Sequence, residues 1–423
     1  MAWSPTQAEA HILSLELFGM RFGLERMHML MSALGMPQHR YAQIHVVGSN
    51  GKSSTVRFIA AILERHGLRS GSYTSPHLRS FRERIEVGER PVTADRFAAA
   101  VERAAHAATA VERTLDPDDR VTQFEALTAA AYHELAARRV GVGVIEAGLG
   151  GRHDATNVIP SRVQVLTGVG LEHTRWLGPT VTDIASEKLA VVRDHSTLVA
   201  GELDPEAAAV AQRVARERSA RLIWAPGEVA VPEMRARGGF QRRNFALAAS
   251  AAEAFLSRPL DPAALAAAAA ETGVPGRLEL TGERPLTIHD GAHNPAGAGA
   301  LAEAIPEVCG VRRPLVLVLS VLDDKDAAGM LERLLPLADR IVLTRCSNPR
   351  ALSPATLETL AAKLGRSDGE IVPDPHAART RARAISGVRG TVVATGSIYL
   401  VADLDREAVC RPTHVGGLRP DGP

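Results

Sequence analysis

One lysine set among glycines constrains this chain more than any other feature. The segment GSNGKSST, Gly48 to Thr55, follows directly on the apolar run IHVV, and its hydroxyl residues open a stretch of helical period. A strand that ends in glycines and feeds a helix offers a row of backbone N–H groups and the positive end of the helix dipole, which together wrap a polyphosphate. Lys52 adds a point charge. The turn therefore points to ATP or GTP and to an α/β fold in which ligands bind beyond the carboxyl ends of parallel strands. Its spacing is unusual: the widespread G-x-x-x-x-G-K-[ST] loop would have glycine at position 46, where this chain has Val46. A shorter relative of that loop is indicated.

Apolar runs rich in valine and isoleucine alternate with longer stretches of helical period, the pattern of βαβ units and a mostly parallel sheet. Strands are expected at 43–47, 70–73, 142–146, 163–167 and 197–200, then in a second series at 285–290, 314–321, 340–344 and 391–395. Between the series, GVPGRLEL (273–280) is marked by glycine and proline, as domain boundaries are. The reading is an N-terminal P-loop-type domain over 1–280 and a smaller, Rossmann-like α/β domain over 281–423. Lys plus Arg (49) balances Asp plus Glu (48), so no overall field draws the chain to nucleic acid or an anionic membrane, and neither partner is expected. The start of the sequence lacks a basic segment leading into an apolar core, and no apolar run is long enough to span a bilayer; a cytoplasmic location is expected. Cys309, Cys346 and Cys410 lie far apart, which argues for inert thiols rather than a disulfide framework or zinc site.

Polar groups recur at the expected strand ends. Glu146 closes the run VGVIE and precedes three glycines, a position from which a carboxylate can hold Mg2+ near phosphate. Glu172 and His173 follow the strand at 163–167, and Ser75 and His77 follow the one at 70–73; each is also explicable as part of a polar turn. Lys188, in PTVTDIASEKLAVV, shares a helical face with Val181, Ile184, Ala185 and Val192. Such a lysine either snorkels to the surface or sits inside with a lowered pKa, where it can take up carbon dioxide as a metal-binding carbamate. In the second series Asp290 ends a strand and suits a ribose hydroxyl or an Asx turn. Thr122 and Glu125 read as a capping box, and the acids of Asp323–Asp326 as a solvated helix start.

Taken together, GSNGKSS, TSPHL with RERI, TQFEALTAAAY, EAGLGGRHDATN, GLEHTRWLG with IASEK, PGRLE, DGAHNP and ATGSIYLV resemble the folylpolyglutamate synthase and dihydrofolate synthase family, within the Mur ligase superfamily. The motifs span nearly the whole chain in the right order. The resemblance accounts for the short loop, since that superfamily uses G-[TS]-N-G-K. It implies phosphate binding by Gly48, Asn50, Gly51, Lys52, Ser53 and Ser54, and Mg2+ held by Ser75, Glu146 and His173. It also implies carbamylation at Lys188, and nucleotide contacts by Asn244, Arg277, Asp290 and His293.

The implied reaction uses ATP and Mg2+ to join L-glutamate to the carboxyl group of a pteroate or folate through an acyl phosphate. Lys52, Glu146, His173 and Lys188 carry that chemistry in the family, whose members are usually monomeric. Four positions depart from the family pattern: Ser53 and Ala190 stand where glycine is common, Glu172 where aspartate is, and Phe240 where histidine is. Two alternatives remain open at this point: another Mur-type amide ligase with a different acid and amino acid, or a nucleotide-dependent switch without ligase turnover.

Overall fold

The computed structural model describes residues 2–15, 23–116 and 118–406. Eight strands form the first sheet: β1 (Ala42–Val47), β2 (Ser70–Tyr73), β3 (Ile85–Val87), β4 (Arg90–Pro91), β5 (Val142–Glu146), β6 (Val163–Leu166), β7 (Thr197–Ala200) and β8 (Arg221–Trp224). Their order is β4-β3-β2-β5-β1-β6-β7-β8, parallel except for the β3 and β4 edge. Six more form a second sheet: β9 (Glu279–Glu283), β10 (Leu286–His289), β11 (Leu315–Leu319), β12 (Arg340–Leu343), β13 (Gly369–Ile371) and β14 (Thr391–Thr395). This sheet runs β13-β12-β11-β14-β10-β9, with only β9 antiparallel.

The central strands are covered on both sides by helices, which is why they read as continuous apolar runs. Ile44 and Val46 of β1 pack with Val56, Ile59 and Leu63 of the helix Lys52–Arg65 and with the helix Gly239–Leu256. Phe58 and Phe245 meet edge to face there, with ring centroids 5.3 Å apart. Val47 joins a second cluster with Leu166, Ala185 and Leu189. A third core lies in the second sheet around Ile288, Leu317, Leu319, Met330 and Val393. No helix among the described residues is long and apolar enough to cross a membrane.

Every strand expected from the sequence has a counterpart within a few residues of its expected ends. Five strands were not expected: β3, β4, β8, β9 and β13. All five lie at or next to a sheet edge, where one side of the strand has no buried partner and the apolar signal is weak. The helix bearing Lys188 is Val181–Leu189, so Val192 falls beyond its end, although it is buried. Cys309 and Cys346 are buried free thiols; Cys410 lies outside the described residues.

β1 carries one histidine into this interior. Thr156 Oγ1 gives its only proton to Asp154, so it accepts from His45 Nε2–H at 2.8 Å, and His45 Nδ1 is left buried without a partner. Burial, reinforced by Arg193, pushes the His45 pKa down from 6.5 to about 3. The folded-state value lies below the unfolded one, so the unfolded chain takes up this proton first as pH falls. The stability tied to neutral His45 is complete above about pH 6.5 and is lost towards pH 3, with a slope of at most ~1.4 kcal/mol per pH unit. His45→Gln is expected to flatten the decline of the urea midpoint between pH 6.5 and 4; an unchanged slope would show that His45 does not titrate in this way.

Candidate active site

The strand order explains what gathers around the glycine turn. β1 is flanked by β5 and β6, with β2 one place beyond β5, so the carboxyl ends of all four open side by side. The turn leaves β1 through Gly48 (φ +145°) and enters the helix Lys52–Arg65 through Gly51 (φ +84°), two conformations that side chains with a Cβ rarely adopt. A Cβ on Gly51 would also stand 2.4 Å from Asn244 Oδ1, so Asn244 backs the turn directly. Thr167 Oγ1 donates to the Asn50 carbonyl at 2.5 Å and pins the other side. Lys52 Nζ curls over the turn to the carbonyls of Gly48 (2.8 Å) and Ser49 (3.1 Å). Ser53 and Ser54 follow in the first helical turn, and Ser54 is buried.

Parallel pairing sets Val46 opposite Glu146, which lifts that carboxylate to the level of the turn. Glu146 is only 2% exposed. It accepts from Ser53 Oγ at 2.9 Å and from the backbone N–H of Ser75 at 3.2 Å. Burial drives its pKa above the ordinary carboxylate value, and Lys52, the two hydrogen bonds and Arg277 offset this only in part. Ser75 thus meets Glu146 through its backbone, not its hydroxyl. His77 turns away: it accepts from Arg84 Nε at 3.0 Å and packs on Phe81.

Lys188 does not snorkel. It is 2% exposed, and its Nζ donates to the Gly48 carbonyl at 3.0 Å and to Glu172 Oε1 at 3.3 Å. Burial and the neighbouring Lys52 charge pull its pKa down to about 8, against the opposing pull of Glu172. Glu172 is pushed up by burial, yet Lys52, Lys188 and His173 together hold it at about 2. His173 is kept neutral near neutral pH, its pKa lowered to about 4 by burial and then by Lys325.

A second wall comes from the other sheet. Asp290, after β10, accepts from the N–H groups of Ala292 and Leu278, both at 2.8 Å, so the Asx-turn reading describes its own contacts. His293 Nδ1 donates to the Gly291 carbonyl at 2.9 Å, which leaves Nε2 as the acceptor, and Arg277 Nη1 reaches the same carbonyl at 3.1 Å. One cavity of about 1860 Å³ is lined from both sides, by Lys52, Ser53, Ser75, Glu146, Glu172, His173, Lys188 and Asn244, and by Arg277, Asp290 and His293. Asp324 and Lys325 line it too, whereas Asp323 and Asp326 are exposed away from it and Asp326 caps the helix Ala327–Leu334, as the expected helix start requires.

Among the described residues no three His, Cys, Asp or Glu side chains gather as a metal cage. The oxygen donors here are the Glu146 carboxylate and the Ser53 hydroxyl bonded to it, and Glu146 is buried with its charge only partly offset. That set fits Mg2+, a hard ion that takes one or two carboxylates and leaves its other positions to water and phosphate.

The family model "Mur ligase, glutamate ligase domain" matches residues 276–398. Folylpolyglutamate synthase of Lacticaseibacillus casei is 34% identical over 97% of this chain and 99% of its own length. The chain belongs to the folylpolyglutamate synthase and dihydrofolate synthase family of ATP-dependent ligases. A dihydrofolate synthase/folylpolyglutamate synthase of Mycobacterium tuberculosis is 35% identical, covering 82% of this chain and 78% of that one. Among solved structures, the Mycobacterium tuberculosis folylpolyglutamate synthase complexed with ADP superimposes with a TM-score of 0.89 at 30% identity, over 95% of this chain and 98% of that one.

Within this family's frame the four departures have local explanations. Ser53 spends its hydroxyl on Glu146, and Glu172 is long enough to reach Lys188. Ala190 has an ordinary right-handed conformation, so nothing there requires glycine. Phe240 lines the cavity with an apolar ring. Several lining residues were not singled out as ligand-binding in the sequence: Arg26, Arg84, Phe124, Asp154 and Lys325. Thr122 and Glu125 do form the capping box, yet that same helix start also brings Phe124 to the cavity.

Lys188 is held from behind by the EAGLGG loop. A Cβ on Gly151 would lie 2.5 Å from the Lys188 carbonyl and 2.7 Å from that of Glu187, and backbone cannot retreat as a side chain would. Gly151→Ala is expected to cost about 1–3 kcal/mol in chemical denaturation, as overpacking does. Wild-type stability in that variant would mean that the helix carrying Lys188 is free to shift.

Proposed function

We propose that this chain adds L-glutamate to the carboxyl group of a pteroate or folate at the expense of ATP, with residues 1–280 supplying the nucleotide-binding wall and 281–423 the wall that brings glutamate. The observation that carries the reading is the single cavity in which the turn around Lys52 and the buried Glu146 face Arg277, Asp290 and His293. Phosphates lie along the N–H groups of Gly48, Asn50, Gly51, Ser53 and Ser54, and Lys52 exchanges its carbonyl partners for phosphate oxygens. Asn244, Arg277, Asp290 and His293 surround the rest of the nucleotide. The acceptor lies against Arg26, Phe124, Leu149 and Ala155, which line the same cavity.

In the first step an oxygen of the acceptor's carboxylate attacks the γ-phosphorus and ADP leaves, giving an acyl phosphate. The neutral amine of glutamate then adds to the acyl carbon, inorganic phosphate departs and the ammonium proton is lost, leaving an amide. Both steps join anions, so Lys52 stabilises the charge that gathers on the transferring phosphoryl group. Ser53, Ser75 and Glu146 would hold Mg2+, and His173 and the carbamate of Lys188 a second cation; the bound ions would neutralise phosphate charge. In forming that carbamate, the Lys188 amine bonds to carbon dioxide and releases a proton. Walls from two sheets exclude the water that would hydrolyse the acyl phosphate. Both walls come from one chain, which suits a monomer, and the need for cellular ATP suits the cytoplasm.

Purified protein incubated with ATP, Mg2+, L-glutamate and either dihydropteroate or tetrahydrofolate is expected to yield a product one glutamyl unit heavier by mass spectrometry. Lys52→Ala should lower kcat by at least about 10²-fold. Glutamate-independent ATP hydrolysis with no new amide would favour a switch protein, and turnover only with other acids would indicate a different ligase. ¹³C-bicarbonate is expected to give a carbamate signal in the NMR spectrum that Lys188→Ala removes; the same signal in the variant would exclude that lysine.

A further inference from the structure

Asn294 caps the helix Pro295–Cys309 of the second domain, and it does more than a cap requires. Its Oδ1 accepts from Gly297 N–H at 2.7 Å, which fixes the amide's orientation because an N–H can only donate. The same Oδ1 accepts from Asn50 Nδ2 at 3.3 Å, while Asn294 Nδ2 donates to Asn50 Oδ1 at 3.1 Å and to Glu172 Oε2 at 3.4 Å. Two amides thus face each other in a reciprocal pair across the cleft. Glu172 passes the connection to Lys188, whose other bond returns to Gly48 in the glycine turn. The side chain of Asn294 is almost fully buried, so water does not substitute for these partners.

We propose that Asn294 is a positioning residue that fastens the second domain to the phosphate-binding turn through Asn50 and Glu172, and so sets the width of the cleft. In this arrangement the phosphates use the backbone of Asn50, and its side chain serves the bridge. His293 immediately precedes Asn294 and Asp290 lies four residues earlier, so the fastening fixes both against the nucleotide. When the bridge is lost, the fraction of molecules with both walls in place falls, and the apparent nucleotide affinity falls with it.

The inference rests on the nucleotide reading above, but its test needs no glutamyl transfer. Asn294→Ser keeps a hydroxyl that can cap Gly297 and removes the amide that spans the cleft. Asn294→Ser and Asn50→Ala are each expected to weaken ADP binding by about tenfold, within the usual range of coupling between sites. The double variant should be no weaker than Asn294→Ser alone, because Asn294→Ser already breaks the link that Asn50→Ala removes. Additive losses, or wild-type affinity in Asn294→Ser, would overturn the proposal. Asn294→Asp keeps the cap and sets a second carboxylate against Glu172, so it should bind ADP more weakly than Asn294→Ser; the reverse order contradicts the bridge. Should Asn294→Ser fail to fold, the same cycle is run with Asn294→Asp. Small-angle X-ray scattering without nucleotide reads the bridge even if ADP binding fails: Asn294→Ser and the double variant should share one enlarged radius of gyration, and an unchanged radius would overturn the proposal.

Discussion

Two lysines and two carboxylates share the rim of one glycine turn, and the rest of the architecture serves to hold them there. Removing such charges from water is costly unless each finds compensation. Unmodified Lys188 and Glu172 compensate each other at 3.3 Å. Glu146 is less well served, with two hydrogen bonds and the fields of Lys52 and Arg277 set against full burial. Lys52 is bonded only to neutral carbonyls of its own turn. The site is therefore electrostatically unfinished: a buried carboxylate suited to a cation lies beside an ammonium suited to an anion. A metal–triphosphate complex supplies both at once, which makes nucleotide binding the natural completion of the charge pattern.

The two-sheet construction follows from the same need. A single parallel sheet can bring four strand ends to one edge, as β2, β5, β1 and β6 do here. It cannot also cover that edge. The second sheet supplies the cover, and contacts on several sides hold it in place. Arg242 pairs with Glu307 at 2.8 Å, Arg79 pairs with Asp405, and Leu78 packs with Val401 and Ala402. These contacts tie the second domain to the first outside the cavity, while the chain stays continuous through the segment before β9.

How much of this could be read from the sequence depended on how strongly burial writes itself into composition. Interior strands such as β1, β5 and β11 are covered on both faces and appear as unbroken apolar runs; β3, β8 and β13 lie at or near edges and leave almost no trace. Lys188 was legible as an inward lysine because helical period places it on the apolar face, but its choice between the surface and the interior needed the Gly48 carbonyl and Glu172 to be seen in space. Ser75 and Glu146 were legible at strand ends, whereas the contact through the Ser75 backbone was not, since a backbone N–H carries no sequence signal. Asn294 was legible only as one letter of the DGAHNP motif. Its partner Asn50 is 244 positions away, and no local pattern could join them.

The central claim is that Glu146 and the glycine turn form one preorganised site for a cation carried on a triphosphate. Electron paramagnetic resonance of Mn2+, used in place of Mg2+, tests it directly. Mn2+ with a non-hydrolysable ATP analogue should show a protein-bound spectrum in the wild type and revert to the spectrum of the free Mn2+–nucleotide complex with Glu146→Gln. An unaltered bound spectrum in that variant would mean that the cation is held elsewhere, and the account of the cleft would be wrong.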